Sequence, residues 1–84
     1  MPEVQIGKIT HYFGKISVGV IELTEELNVG ETIKIVGHDR EFTQKVESMQ
    51  IEHKNVEKAG KGQSIGLKVD QPVKEGDIVY KIEE

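Results

Sequence analysis

The fold is decided by the stretch Phe42 to Val69, FTQKVESMQIEHKNVEKAGKGQSIGLKV, which contains two strand-like segments joined by a charged connector. In the second segment Ile65 and Leu67 alternate with polar or small residues, which is the pattern of a half-buried strand. In the first segment the apolar spacing changes from even to odd between residues 46 and 49, which predicts one extra residue, a bulge, near Ser48. The mixed charges of the connector predict a solvated loop over Glu52 to Lys61.

Outward from this stretch the chain has four more short β-branched segments and no convincing amphipathic helix. The first has a kink at Gly7, and a tight turn around Gly14 joins it to the second as a hairpin. The predicted strands are Val4–Tyr12, Ile16–Leu23, Thr32–Val36, Phe42–Ile51, Ser64–Val69 and Ile78–Ile82. About six short strands at spacings of roughly ten to fifteen residues predict an all-β fold, a small closed antiparallel β-barrel, because closure removes exposed strand edges.

Glycines mark the points where several strands begin. Gly30, Gly62 and Gly76 each precede one polar residue and a β-branched run, so we expect turn conformations there. Gly66 instead lies inside a strand, between Ile65 and Leu67. For that residue we expect close backbone packing and intolerance of larger side chains.

Composition limits the size and class of the protein. The 84 residues have room for one domain, residues 1–84, and with only four aromatic residues the core must be filled by Val, Ile and Leu. There are 11 basic and 15 acidic residues, a net charge of -4, which argues against a nonspecific nucleic-acid binder. No cysteine is present, so disulfides and thiolate metal sites are excluded. No leader-like segment and no apolar run of about 20 residues occurs, so we expect a cytoplasmic protein.

Catalytic and metal-binding patterns are not recognisable in the sequence. His11, His38 and His53 lie in three different segments without the short paired spacing of a metal site. The serines beside predicted strands, Ser48 and Ser64 among them, lack a nucleophile elbow and an oriented base. We therefore expect no enzymatic activity, no metal and no cofactor.

The best local binding candidate is His11-Tyr12-Phe13-Gly14-Lys15, where aromatic and basic groups alternate at a hairpin tip. A nucleic-acid base stacked on Tyr12 or Phe13, beside a phosphate on Lys15, is physically reasonable. The alternative is that Tyr12 or Phe13 fills one end of the barrel, because the core has few other large side chains.

Two segments resemble the second domain of the translational GTPases, the small barrel of elongation factor Tu, initiation factor two and the selenocysteine-specific elongation factor. One is Leu27 to Ile35, similar to that family's L-x-x-G-D-x-hydrophobic strand start. The other follows a V-x-S-[MLI]-[QE] … V … A-x-x-G-x-x-[VI]-G-[LI] pattern at Val46, Ser48-Met49-Gln50, Val56, Ala59, Gly62 and Ile65-Gly66-Leu67. The resemblance covers nearly the whole chain, roughly residues 4 to 82.

This resemblance implies a translation-factor barrel without its GTPase. No G-x-x-x-x-G-K-[ST] phosphate loop occurs in the chain, so we expect no GTP binding. In elongation factor Tu the barrel helps to hold the 3′ end of aminoacyl-tRNA, and the matching positions here are Gln50, His53 and Lys54. Elongation factor Tu has an acidic residue at the position of Gln50 and an arginine at the position of His53, so this chain departs from its pattern at both. Gln50 does resemble the residue found in the selenocysteine-type factors.

The predicted function is a non-catalytic binding module that docks on structured RNA (tRNA, rRNA or the ribosome) or on a protein partner. The predicted contact residues are His11, Tyr12, Phe13, Lys15, Gln50, His53 and Lys54. Similar small barrels also occur at the C-terminal end of collagenase-like peptidases. The alternative function is therefore a protein-interaction accessory domain for an RNA-modifying or collagenase-like peptidase-family enzyme, with no direct RNA contact.

Overall fold

All regular elements between Glu3 and Ile82, the residues that the computed structural model describes, are β-strands. In chain order they are β1 Glu3–Phe13, β2 Val18–Leu23, β3 Leu27–Asn28, β4 Thr32–Val36, β5 Glu41–Lys45, β6 Met49–Ile51, β7 Lys54–Val56, β8 Lys58–Ala59, β9 Ser64–Lys68 and β10 Ile78–Ile82. β-branched and other aliphatic residues dominate the longer strands, because such side chains fit a pleated, half-buried surface. Residues 3–82 contain no helix that is long and apolar enough to cross a membrane.

Eight strands form one antiparallel sheet in the order β5-β4-β10-β1-β2-β9-β6-β7, and β3 pairs separately with β8. The all-β antiparallel prediction is confirmed, including the predicted hairpin of β1 and β2. β4 and β5 form a second hairpin. The prediction of a closed barrel is wrong, because the outer strands β5 and β7 do not pair with each other.

The sheet stays open because the chain leaves the ladder after Lys45. The Val46 amide donates to the Glu31 carbonyl at 2.8 Å, and the Val46 carbonyl accepts from the Gly30 amide at 2.8 Å. Both backbone groups of Val46 are thus bound on the β4 side, and residues 46–48 form no strand. The predicted strand Phe42 to Ile51 is therefore two strands, β5 and β6, with a break where the sequence predicted a bulge.

The charged connector also differs from its prediction. Residues 52–61 contain a turn, the short strand β7 and the strand β8, rather than a solvated loop throughout. β8 is paired across the molecule, with Ala59 opposite Leu27 and Lys58 opposite Asn28. The charges do lie outward, but Ala59 is buried, and this anchors the connector to the core.

A long bent strand, β1, links the two halves of the sheet. Its pairing with β10 shifts register between Gln5 and Gly7, at the predicted kink. A Cβ at Gly7 would lie 2.5 Å from the Glu22 carbonyl oxygen, closer than a side chain allows, so the close approach of β2 requires glycine there.

The core consists almost entirely of Ile, Leu and Val side chains from all the longer strands, with Met49, Ala59 and Phe42 beside them. Ile6, Ile21, Ile33, Ile35, Leu27, Leu67 and Val79 have no measurable exposure. The predicted aliphatic composition of the core is confirmed. Three of the predicted turn glycines, Gly30, Gly62 and Gly76, have positive φ angles of 97°, 85° and 93°.

Candidate functional site

Two of the three large apolar side chains that the described residues leave exposed belong to one turn. Phe13 ends β1 and is 47% exposed, and Ile16, in the turn to β2, is 63% exposed. The Ile16 amide donates to the Phe13 carbonyl at 3.3 Å, and the Ser17 carbonyl accepts from the Val69 amide at 2.8 Å. These bonds fix the turn, so the exposed Ile16 is held by ordered backbone.

The sheet surface beside this turn has a hollow at its centre. Val20 in β2 lies opposite Gly66 in β9, and Gly66 lies opposite Gln50 in β6. Directly opposed residues of adjacent strands project to the same face. The middle position of this row has no side chain, so Val20 and Gln50 stand on either side of a depression.

The far wall of the depression is the β6–β7 hairpin. Its two turn residues, Glu52 and His53, have φ angles of 51° and 66°, and two positive φ angles define a type I′ turn. Gln50 is held from the next strand, because its Nε2 donates to Asn55 Oδ1 at 3.0 Å. Ser17, with a φ of 55°, is the remaining non-glycine residue with positive φ in the described part of the chain. Glu52 and His53 line the depression, and Ser17 lies between two lining residues, Ile16 and Val18.

Together these elements form an open cleft of about 240 Å³, here called the Phe13 cleft. It is lined by Phe13, Ile16, Val18, Val20, Gln50, Glu52, His53, Ser64, Ile65 and Gly66. The β1–β2 side of the cleft is apolar, the β6–β7 side carries Gln50, Glu52 and His53, and β9 adds Ser64. Exposed aliphatic and aromatic surface in a hollow with fixed walls is suited to contact with another apolar group.

The predicted contact residues are only partly brought together. Phe13, Gln50 and His53 line the Phe13 cleft. His11 is adjacent, because its ring centroid lies 5.3 Å from that of Phe13 at an interplanar angle of 56°, and its Nδ1 lies 3.4 Å from Glu75 Oε1. The predicted aromatic-basic site is thus divided rather than continuous.

The remaining predicted contacts lie elsewhere. Tyr12 is half-buried, packs against the core and does not line the Phe13 cleft. Lys54 is the cross-strand partner of Ile51, which packs on the core, so it projects away from the face that carries Gln50. Neither Lys15 nor Lys54 lines the Phe13 cleft.

Sequence reasoning missed Ile16, Val18 and Val20 as surface-forming residues and placed Gly66 among structural glycines. An isoleucine in a turn next to a phenylalanine was the available indication for Ile16. For Gly66 the expected close backbone contact is absent, since the nearest backbone atom to a Cβ there would be the Gln50 carbonyl oxygen at 4.0 Å. The nearest side-chain atom would be Val18 Cγ1 at 3.4 Å, the short limit of ordinary contact.

The polar groups of the Phe13 cleft do not form a catalytic arrangement. Ser64, His53 and Glu52 line the same cleft, but nucleophilic catalysis needs a serine bonded to a base that a third group orients. Within residues 3–82 no hydrogen bond joins the Ser64 hydroxyl to the His53 ring, and no three His, Asp or Glu side chains are grouped so that they could hold a metal ion.

A wider hollow of about 670 Å³ lies around Val29 and Val56. Its other lining residues are Asn28, Glu57 and Lys58, and Glu57 and Lys58 are exposed to solvent. Val29, 37% exposed, is less exposed than Phe13 or Ile16. This hollow is a weaker candidate than the Phe13 cleft, and it makes Val29 a useful reference position outside that cleft.

The fold is that of a domain already seen in a solved structure. It is similar to the crystal structure of the C-terminal domain of a Geobacillus thermoleovorans protein assigned to the U32 peptidases, with a TM-score of 0.89. The likeness covers 95% of this chain and 93% of that domain at 18% sequence identity. At that identity the comparison defines the fold class alone.

Curated proteins that are similar in sequence include a protease and a collagenase. A protein named as an uncharacterized protease in Methanocaldococcus jannaschii is 42% identical over 83 residues, 98% of this chain. A collagenase of Porphyromonas gingivalis is 35% identical over 83 residues, 96% of this chain. In both cases this chain spans about 20% of the relative's length. No family model matches the sequence.

These comparisons correct the family prediction. The relatives are a protease and a collagenase, and the structural neighbour is a peptidase C-terminal domain. The assignment to the second domain of the translational GTPases is therefore wrong. With it the predicted RNA partners, tRNA, rRNA and the ribosome, lose their basis. The alternative function, which named collagenase-like peptidases, agrees better with the relatives.

Proposed function

We propose that this chain is a non-catalytic accessory domain of a peptidase-family protein, and that it packs through the Phe13 cleft against the remaining part of such a protein. The similarity to about one fifth of two longer proteins, a protease and a collagenase, supports the first half of this proposal. The remaining four fifths of such a protein supplies the partner surface.

The observation that carries the proposal is the exposed apolar cleft on fixed backbone. Phe13 and Ile16 are 47% and 63% exposed, yet the turn that presents them is tied by hydrogen bonds to β1 and to Val69. Large apolar side chains held in this way lose little conformational entropy when they are covered. Covering Ile16 alone would contribute about 1–2 kcal/mol, from the apolar area removed from water.

The absence of catalytic activity in this chain is part of the proposal. Its polar cleft residues lack the bonded nucleophile and base that peptide hydrolysis by a serine requires. We expect purified chain to leave denatured collagen and casein intact, as judged by mass spectrometry of the products. If peptide-releasing activity copurified with the chain and were lost in the Ser64→Ala variant, the proposal that the chain is non-catalytic would be overturned.

Docking is tested with a chimera in which this chain replaces the matched 83 residues of the M. jannaschii protease. Hydrogen exchange of the buried β2 amides reports the opening equilibrium of the domain. It is measured in the free chain and in the chimera, for the unchanged sequence, for Ile16→Ser and for Val29→Ser. Val29→Ser is the matched control, since Val29 is also an exposed apolar residue but lies outside the cleft.

We expect Ile16→Ser to change β2 exchange little in the free chain, where the side chain is already in water. In the chimera the same change should raise exchange by roughly tenfold, equivalent to about 1.4 kcal/mol. Val29→Ser should change β2 exchange by the same factor in the free chain and in the chimera. Equal effects of Ile16→Ser in the free chain and in the chimera would contradict docking through the Phe13 cleft.

A further inference from the structure

We infer that the Phe13 cleft is a specificity pocket for one large apolar side chain of the docking partner, and that Gly66 is the residue that keeps this pocket open. The inference rests on the proposed function, because it assigns a role to Gly66 in the same contact. Its occupant is a single Leu, Met or Phe side chain projecting from the peptidase part.

Nothing in the backbone geometry requires glycine at position 66. Its φ is outside the left-handed region, and a Cβ would lie 3.4 Å from Val18 Cγ1 and 4.0 Å from the Gln50 carbonyl oxygen, from the short to the long limit of ordinary van der Waals contact. Gly7 is different, since a Cβ there would collide with the Glu22 carbonyl at 2.5 Å. A glycine in a strand interior is unfavourable compared with a β-branched residue. Gly66 therefore weakens β9 without a packing reason, and its visible consequence is the hollow between Val20 and Gln50.

The size of the hollow limits what can occupy it. Its volume of about 240 Å³ is below the roughly 300–1,000 Å³ of pockets for small-molecule ligands and cofactors. A single large side chain is of suitable size. Val18 and Val20, beside the exposed Phe13 and Ile16, favour an apolar group, and no lysine or arginine lines the cleft to attract a phosphate.

The walls around Gly66 are held in place before any partner binds. On one side the Ser17 carbonyl is bonded to the Val69 amide, and on the other Gln50 is bonded to Asn55. A buried anchor side chain in a rigid pocket is the usual centre of a protein interface, because neither partner must reorganise. The pocket is therefore preformed for an anchor residue.

The test uses Gly66→Ala and Gly66→Val in the free chain and in the same chimera, with Thr43→Val as a control. Thr43 is exposed on β5, outside the Phe13 cleft, so its replacement adds surface valine without filling the hollow. In the free chain we expect Gly66→Val to keep or raise the unfolding temperature, because valine suits a strand. In the chimera Gly66→Val should raise β2 exchange roughly tenfold more than it does in the free chain, because the anchor contacts are lost. Gly66→Ala should have a smaller effect.

The outcomes separate this inference from the proposed function. If Gly66→Val acts equally in both proteins while Ile16→Ser still acts only in the chimera, the pocket inference fails and the docking proposal stands. If neither substitution distinguishes the chimera from the free chain, both fail. If Gly66→Val unfolds the free chain, the glycine is structural and the pocket inference is again overturned.

Discussion

Gln44 joins the edge strand β5 to the segment at the end of β9. It is one of two buried polar residues in the described part of the chain, 8% exposed, on the edge strand β5. Its Nε2 donates to the Lys68 carbonyl at 2.8 Å, and its Oε1 accepts from the Asp70 amide at 2.8 Å. One side chain thus supplies two of the bonds that a paired strand would otherwise provide at this point.

We predict that Gln44→Leu lowers the free energy of unfolding by about 1–3 kcal/mol, because it leaves a partly buried carbonyl and amide without partners. Urea unfolding measures the change. Thr43→Val, on the exposed face of the same strand, should stay within about 0.5 kcal/mol of the unchanged chain. A Gln44→Leu protein as stable as that control would mean that water replaces both bonds without cost.

Lys34, on β4, gives a pH dependence of known sign. Its Nζ lies 3.1 Å from Glu3 Oε1 and 3.6 Å from Glu41 Oε2, and the hydrogen bond to Glu3, followed by the nearby carboxylate charges, raises the pKa of Lys34. A lysine whose folded pKa is raised stabilises the fold fully below the unfolded value of about 10.4. That contribution is lost as the pH rises through the raised folded pKa.

The stability difference between the unchanged chain and Lys34→Gln should therefore be constant from pH 7 to about pH 9.5 and shrink above it. Denaturant unfolding at several pH values tests this. The comparison isolates Lys34, because the tyrosines and other lysines titrate in both proteins. A difference that grows with pH above 10 would show the opposite sign and refute the assignment.

Among the elements, the β6–β7 hairpin combines a short edge strand with an unfavourable turn. Glu52 and His53 both have positive φ, in a turn type for which Asn-Gly is preferred. Holding two ordinary residues in this region costs of order 1 kcal/mol each. Both residues line the Phe13 cleft, so the conformation serves to position its far wall.

Replacing Glu52-His53 by Asn-Gly should raise the free energy of unfolding by about 1 kcal/mol, since the new residues suit the turn. Thermal unfolding of the free chain gives the readout. A matched change at exposed residues of ordinary φ, Glu25→Asn with Glu26→Gly, should not stabilise. An unchanged or lower unfolding temperature for the turn variant would argue against a type I′ turn at these positions.

The sequence predicted the longer strands well and the short ones poorly. Alternation and turn glycines identify β9 and β10 locally, and the positive φ of Gly62 follows from its place at the turn. β8 cannot be recognised in this way, because it exists through the pairing of Ala59 with Leu27, far away in the chain. The same holds for the break after Lys45, which depends on bonds from Val46 to residues 30 and 31.

At the scale of the molecule, barrel closure and family were predicted from features that many small β domains share. Glycine-led strand starts and alternating aliphatic residues are requirements of antiparallel sheets with tight turns, so they do not separate one family from another. Closure depends on whether β5 and β7 meet, which is a property of the complete register. Both predictions failed for the same reason, since local patterns do not determine long-range pairing.

The candidate site was predicted in part. Phe13, Gln50 and His53 come from two segments that the sequence singled out, and the register of β2, β9 and β6 unites them in one cleft. The RNA contact expected of them is not supported, because Lys15 and Lys54, the lysines predicted to bind phosphate, do not line the cleft. The sequence places Gly66 inside a strand. That its missing side chain creates a hollow follows only from the strand pairing, which puts Gly66 between Val20 and Gln50.

The most direct test of docking through the Phe13 cleft is thiol protection. The chain has no cysteine, so Ile16→Cys and Val29→Cys each introduce a unique thiol, and labelling at that peptide is followed by mass spectrometry. We predict that the thiol at position 16 reacts at least tenfold more slowly in the chimera than in the free chain, as expected for a group covered by an interface. The thiol at position 29 should react at similar rates in both. Equal labelling of position 16 in the free chain and in the chimera would contradict docking through the Phe13 cleft.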